Sequence, residues 1–324
     1  MTNTKALPGD LDAEIRARAS QEPSLRGFAY CVARLEDLGV ALGTALASYL
    51  EQGEFPQRVV VLPRQRLLLR GYRDRSWLSF PIWKHTPEVI LLQTTRRLLS
   101  AAIIEGRRLE VSFTPLDHLI TFQLGTVLLF SWFEWSWASD GNLETRRVYF
   151  NTVSDYIFRE LQQCLSSMFV QLGGMNTIPY TQGLHHLDDL PYKFRNIIPV
   201  RLLLPQEDIQ AVVYRPGLWE HRLVFLRRQI SPTAALVLTD GQVLVAEEDL
   251  VGAEGHYGVI ARYMSRHSFN RVVLDEKQGG IHLSMVFRVR GVEFEQCMRF
   301  GTSAKPQLDQ LLSLLTHHEV FPQP

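Results

Sequence analysis

Apolar positions along the chain follow two rhythms, and the rhythms change in the same order twice. From 58 to 150 the Val-, Leu- and Ile-rich runs are short: 58–62, 66–71, 89–93, 96–104, 109–113, 119–124, 126–137 and 146–150. Runs of that length, separated by Gly106, Pro115, Gly125 and Asp140-Gly141, predict β-strands joined by turns. The Asp-Gly pair predicts a hairpin, because both residues tolerate positive φ. The period then lengthens. Ile157, Phe158, Leu161, Leu165, Met168 and Phe169 recur at helical spacing after Thr152-Val153-Ser154-Asp155, a capping sequence, and Gly173-Gly174 ends the run. Ahead of the strands, 9–22 predicts a short charged helix capped near Asp10. A longer helix is expected over 28–51, with Leu35, Leu38, Leu42, Leu46 and Tyr49 on one face, weakened at Gly39 and Gly43 and ended by Gly53 and Pro56.

The second half repeats the pattern. Leu62-Pro63, Tyr72-Arg73 and Trp77 reappear as Leu204-Pro205, Tyr214-Arg215 and Trp219, displaced by 142 residues. In that register Gln206, Glu207 and Asp208 stand opposite Arg64, Gln65 and Arg66. The run 86–94 matches 231–239, and Leu98-Leu99 matches Val243-Leu244, both displaced by 145. Phe113 with Tyr263, Leu119 with Phe269, Leu161 with Leu311 and Leu165 with Leu315 are displaced by 150. Pro306 falls in the first turn of the final helix, where a missing N–H costs little. A period this long predicts duplication of a whole domain rather than a solenoid. The expected organisation is an N-terminal helical segment (1–55), a first module (56–172), a turn-rich linker (173–197) and a second module (198–324).

Composition changes this picture little. The chain has 324 residues, 46% hydrophobic, with zero formal net charge, so each module has enough apolar residues for a core and the whole is not a polyanion binder. Charge is uneven: between Arg58 and Arg108 eleven basic residues face three acidic ones. Cys31, Cys164 and Cys297 are odd in number and far apart, which predicts free thiols in a reducing compartment. The N-terminus has no apolar core of a secretion signal, and 119–137 is interrupted by Gln123, Gly125, Ser131, Glu134 and Ser136. A cytoplasmic location is expected.

Strands closed off by one amphipathic helix in each module resemble the pleckstrin-homology (PH)-like fold. The apolar strand, Thr and polar turn at 89–99, its match at 234–244, the run 125–132 and the terminal Phe-x-Thr-helix resemble short bacterial PH-like domains. The resemblance covers 56–172 and 198–318. It implies two PH-like β-barrel or sandwich modules, each capped by a C-terminal helix; with the N-terminal helices read from the apolar spacing, the expected fold class is mainly β with α (α+β). It implies binding of phosphoinositides, peptides or proteins without choosing among them.

Arg64, Arg66, Arg70, Arg73, Arg75 and Lys84 flank the first hairpin, where such domains grip anionic headgroups, and forked guanidinium donors suit phosphate. Trp77, Phe80 and Trp83 beside them suit a membrane interface or a partner. The same residues also read as a solvated face or a protein contact. Nucleic acid is disfavoured by net neutrality. His185-His186 with Asp188 and Asp189 read as a loop rather than metal ligands, and no cofactor is expected. His317-His318 suit a helix end. Asp117-His118 are adjacent in a run read as strand, so they would face apart; Cys164 reads as core, and the aromatic residues Trp132, Trp135, Trp137 and Tyr149 read as core or interface. No P-loop, GxSxG, GxGxxG or HExxH occurs. The expected function is therefore non-catalytic binding or scaffolding of a protein partner, with anionic lipid as the alternative. The oligomeric state is not written in the sequence.

Overall fold

Short apolar runs become strands, paired antiparallel in both halves of the chain. The computed structural model describes residues 2–6, 27–69, 82–104, 108–127, 130–171, 183–223, 226–249, 258–277 and 280–316. The helix expected over 9–22 and His317-His318 lie outside them. Two compact units emerge. Unit 1 comprises Met1–Leu119, Thr126–Phe133 and Arg146–Phe158; unit 2 comprises Ile120–Gly125, Glu134–Thr145 and Arg159–Pro324.

Unit 1 holds β1 (Thr2–Ala6), β2 (Tyr30–Val32), α1 (Val40–Ala47), β3 (Arg58–Leu62), β4 (Arg66–Leu69), β5 (Ile82–His85), β6 (Glu88–Gln93), β7 (Arg97–Ile104) and β8 (Arg108–Pro115). Six of these form an antiparallel sheet in the order β1-β8-β7-β6-β3-β2. β4 and β5 form a hairpin of their own. Leu35, Leu38, Leu42 and Leu46 pack against Val59, Val61, Ile90, Leu92 and Leu99, which makes the helical segment part of the core. Each such fully buried side chain contributes about 2 kcal/mol relative to exposure.

The single helix expected over 28–51 is broken up. Tyr30–Val32 pairs with β3, with Tyr30 opposite Val61; a 3-10 turn covers Leu35–Leu38, and the α-helix starts only at Val40. Gly39 breaks the path with φ of 101°. Gly43 has a packing role: a Cβ there would stand 2.5 Å from the Leu35 carbonyl oxygen.

Next come β9 (Leu119–Val127), β10 (Phe130–Ser139), β11 (Asn142–Asn151), α2 (Asp155–Gln171) and α3 (Tyr192–Ile197). Gly125 lies inside β9 rather than in a turn. Asp140-Gly141 joins β10 to β11 with φ of 47° and 77°, the two positive values of a type I′ hairpin. Asn151, not Thr152, caps the following turn by accepting a hydrogen bond from the Val153 N–H at 3.0 Å. No helix among the described residues is long and apolar enough to cross a membrane.

The remaining strands are β12 (Ile209–Arg215), β13 (Leu218–Leu223), β14 (Leu226–Ser231), β15 (Ala234–Thr239), β16 (Gln242–Glu248), β17 (Val259–Ser265), β18 (Phe269–Lys277), β19 (Gly280–Val289) and β20 (Val292–Phe300), ahead of α4 (Lys305–Thr316). One sheet runs β11-β10-β9-β17-β16-β15-β12, another β18-β19-β20, and β13-β14 is again a separate hairpin. Leu308, Leu311 and Leu315, spaced to share one face of α4, pack with Val213, Leu236, Val243, Phe287 and Phe300. Within unit 2, the β9 residue Phe122 stacks on Tyr263 at 4.6 Å, and Thr121 Oγ1 donates to the Tyr263 carbonyl at 2.9 Å. The class is α+β. The sheets formed by the described residues are open, so the barrel half of the expectation does not hold.

Candidate functional site

Strand pairing fixes how the halves correspond. Thr94 Oγ1 accepts from the Arg97 N–H at 2.9 Å, and Thr239 Oγ1 accepts from the Gln242 N–H at 3.0 Å, which are the same turn displaced by 145 residues. Arg58 faces Gln93 across β3 and β6, while Ala211 faces Leu238 across β12 and β15. Gln93 and Leu238 differ by 145, so Arg58 corresponds to Ala211, a displacement of 153. The 142-residue register expected for this strand is therefore corrected. Pro63 matches Pro216, Gln57 matches Gln210 and Glu54 matches Glu207.

That correction exposes a buried clasp absent from the sequence reading. The Glu54 carboxylate accepts from the Glu51 N–H at 3.0 Å, from Thr94 Oγ1 at 2.6 Å and from the Arg97 guanidinium. Glu207 accepts from the Leu204 N–H at 2.6 Å, Thr239 Oγ1 at 2.9 Å and Gln242 Nε2 at 2.7 Å. Each acid ties the approach to the first strand onto the turn between the central strands. The Arg97 hydrogen bonds bring the Glu54 pKa down to about 2. Burial pushes Glu207 up to about 7, with only neutral donors to oppose it. Perturbed acids often mark active sites. Glu207 has no exposed surface and its oxygens already face three donors, so its work is structural.

The basic stretch maps onto the root of the β4-β5 hairpin. Gln65 is buried, with its N–H on Thr86 Oγ1 at 3.0 Å and its Nε2 on the Gly27 carbonyl at 3.0 Å. Arg64 and Arg66, on either side of it, are exposed, and Arg66 faces the exposed His85 across the hairpin. Trp83 and Lys84 lie on β5, opposite Leu68 and Leu67. Arg70, Arg73, Arg75, Trp77 and Phe80 fall outside the described residues. Unit 2 builds the corresponding root differently. Arg215, 3% exposed, pairs with Glu247 at 2.8 Å and donates from Nε to the Pro232 carbonyl at 3.1 Å, pinning the end of β14. Trp219 on β13 is 55% exposed. It sits beside Gly217, where a Cβ would lie 3.6 Å from the Trp219 Nε1 and 2.7 Å from Gln229 Nε2.

The other candidates fall into place around this. Asp117 and His118 sit in a 3-10 turn rather than a strand, 3.8 Å apart at the surface. The His185 and His186 rings lie 4.1 Å apart, tilted by 36°, in another 3-10 turn, and among the described residues no group of three His, Cys, Asp or Glu is placed to hold a metal. Trp132, Trp135 and Trp137 are buried, and none of the three cysteines forms a disulfide. Compared with known protein families, with curated proteins and with solved structures, the chain matches none.

Proposed function

We propose that this chain is a non-catalytic binding and scaffolding protein built on two PH-like modules, and that it recognises a protein partner through its projecting hairpins. One observation carries the reading. Each half sets a two-stranded hairpin, β4-β5 or β13-β14, apart from the main sheets, with no third strand among the described residues. A hairpin with open edges accepts an extended segment of a partner by main-chain hydrogen bonding, and side chains beside it set the choice. Trp219 supplies an aromatic anchor at one hairpin, while Arg64 and Arg66 supply charge at the other. The matching order of strands and closing helix in the two halves supports the PH-like assignment.

A photo-reactive phenylalanine analogue at position 219 tests this in cells. The expected result is a discrete protein cross-link absent when the analogue sits at Gln310 on the exposed side of α4, and competed by the unlabelled wild-type chain but not by Trp219→Ala. Absence of any cross-link specific to position 219 overturns the Trp219 assignment. Arg64 and Arg66 favour one other occupant, an anionic bilayer. Co-sedimentation with phosphatidylserine vesicles at low salt, lost in Arg64→Glu/Arg66→Glu, moves the assignment to lipid.

A further inference from the structure

β9 and β18 are counterparts 150 residues apart, and they differ in one respect. β9 (LITFQLGTV) carries no charge and is hydrogen-bonded on both edges, by β10 and by β17. β18 (FNRVVLDEK) pairs with β19 on one side and with no other strand among the described residues. Its even positions Val272 and Leu274 pack on the core, while Arg271, Val273, Asp275 and Lys277 are exposed, Val273 to 50%. An edge strand of this length normally carries charge that blocks pairing with other chains.

Here the charges are self-complementary. Laid antiparallel against a copy of itself about Val273, β18 sets Arg271 opposite Asp275 twice, Val272 opposite Leu274 twice and Val273 opposite itself. Opposite charges and apolar pairs directly across an antiparallel ladder are favourable. Moving the axis to Leu274 sets Arg271 against Lys277 instead, so the charges select one register. We infer that β18 is a docking edge for a second copy of this chain, forming a two-fold dimer whose sheet runs β20-β19-β18-β18-β19-β20. Such an interface is isologous and closed, so it stops at two subunits. The local pairs it disturbs, Arg271 with Glu293 at 3.4 Å and Asp275 with Lys277 at 2.6 Å, are exposed and contribute little. The inference stands apart from the hairpin reading and does not depend on it.

Sedimentation equilibrium of the full chain tests it. Wild type is expected to dimerise reversibly. Asp275→Arg places two Arg-Arg pairs in the interface and is expected to weaken the dimer by about tenfold or more. The exchanged double variant Arg271→Asp/Asp275→Arg restores opposite charges and is expected to regain the dimer. Val273→Lys, at the exposed centre of the edge, is expected to weaken it independently. Melting and circular dichroism verify that each variant is folded. A chain monomeric at every concentration, a dimer indifferent to Asp275→Arg and Val273→Lys, or folded single and double variants that are equally monomeric would each overturn the assignment.

Discussion

A carboxylate held by the Arg97 guanidinium ionises readily, whereas burial makes Glu207 resist ionisation despite the Gln242 amide and the Thr239 hydroxyl that donate to it. Glu54 and Glu207 occupy matching places, yet their pKa values move from the ordinary 4.5 to about 2 and about 7. For Glu207 the folded value lies above the unfolded one. Its contribution is complete below pH 4.5 and is lost as pH rises through about 7, a range worth about 3 kcal/mol. Glu54 has the opposite sign: its contribution is present above 4.5 and is lost as pH falls towards 2. Thermal melts between pH 5 and 8 should therefore show falling stability in wild type. Glu207→Gln should flatten that dependence while leaving the acid limb near pH 3 in place. An unchanged slope in Glu207→Gln would assign the effect elsewhere.

At the scale of elements, most strands were legible because short apolar runs between turn residues have few alternatives. Asp140-Gly141 is the clearest case, and Arg290-Gly291 repeats its left-handed pair with φ of 48° and 81°. The register of the first strand was not legible. Val59, Val60, Val61 and Leu62 are all buried, so β3 has no polar-apolar alternation to anchor it, and chance matches such as Leu-Pro prevailed. The usable signal was polar: Glu54, Gln57 and Pro63 recur as Glu207, Gln210 and Pro216, each 153 residues later. Of the candidate site, exposed Arg64 and Arg66 were legible from their charge, but the buried clasp was not, since nothing local marks Glu54 as tied to Thr94. The helix expected through 28–39 failed for a related reason, because apolar spacing cannot foresee that Tyr30–Val32 has β3 as a partner. Gly43 shows tertiary packing overruling propensity. Gly43→Ala favours a free helix by about 1 kcal/mol, but here the Cβ would meet the Leu35 carbonyl at 2.5 Å. The substitution should destabilise the chain by about 1–3 kcal/mol in urea unfolding; a stabilised variant would show that the approach of α1 to Leu35 relaxes freely.

For the whole molecule, the boundary of unit 2 decides what can be expressed alone. Unit 2 includes Ile120–Gly125 and Glu134–Thr145 and resumes at Arg159, so a cut anywhere in 173–197 removes the first two segments and the start of the third. Arg262 would lose its hydrogen bonds to Gln123, and Tyr263 its stacked ring. A fragment of 198–324 should be insoluble or molten by near-ultraviolet circular dichroism, and a sharp native melt from it would refute this. The outermost strand of unit 1 raises a matter of timing. Thr2 pairs with Ser112, 110 positions further along the chain. At about 5–20 residues per second, roughly 5–20 s of synthesis separate the two. Of the six strands in this sheet β1 leaves the ribosome first, and it is thus among the last to find a seat. Until then, any other extended chain nearby competes for the rim of β8.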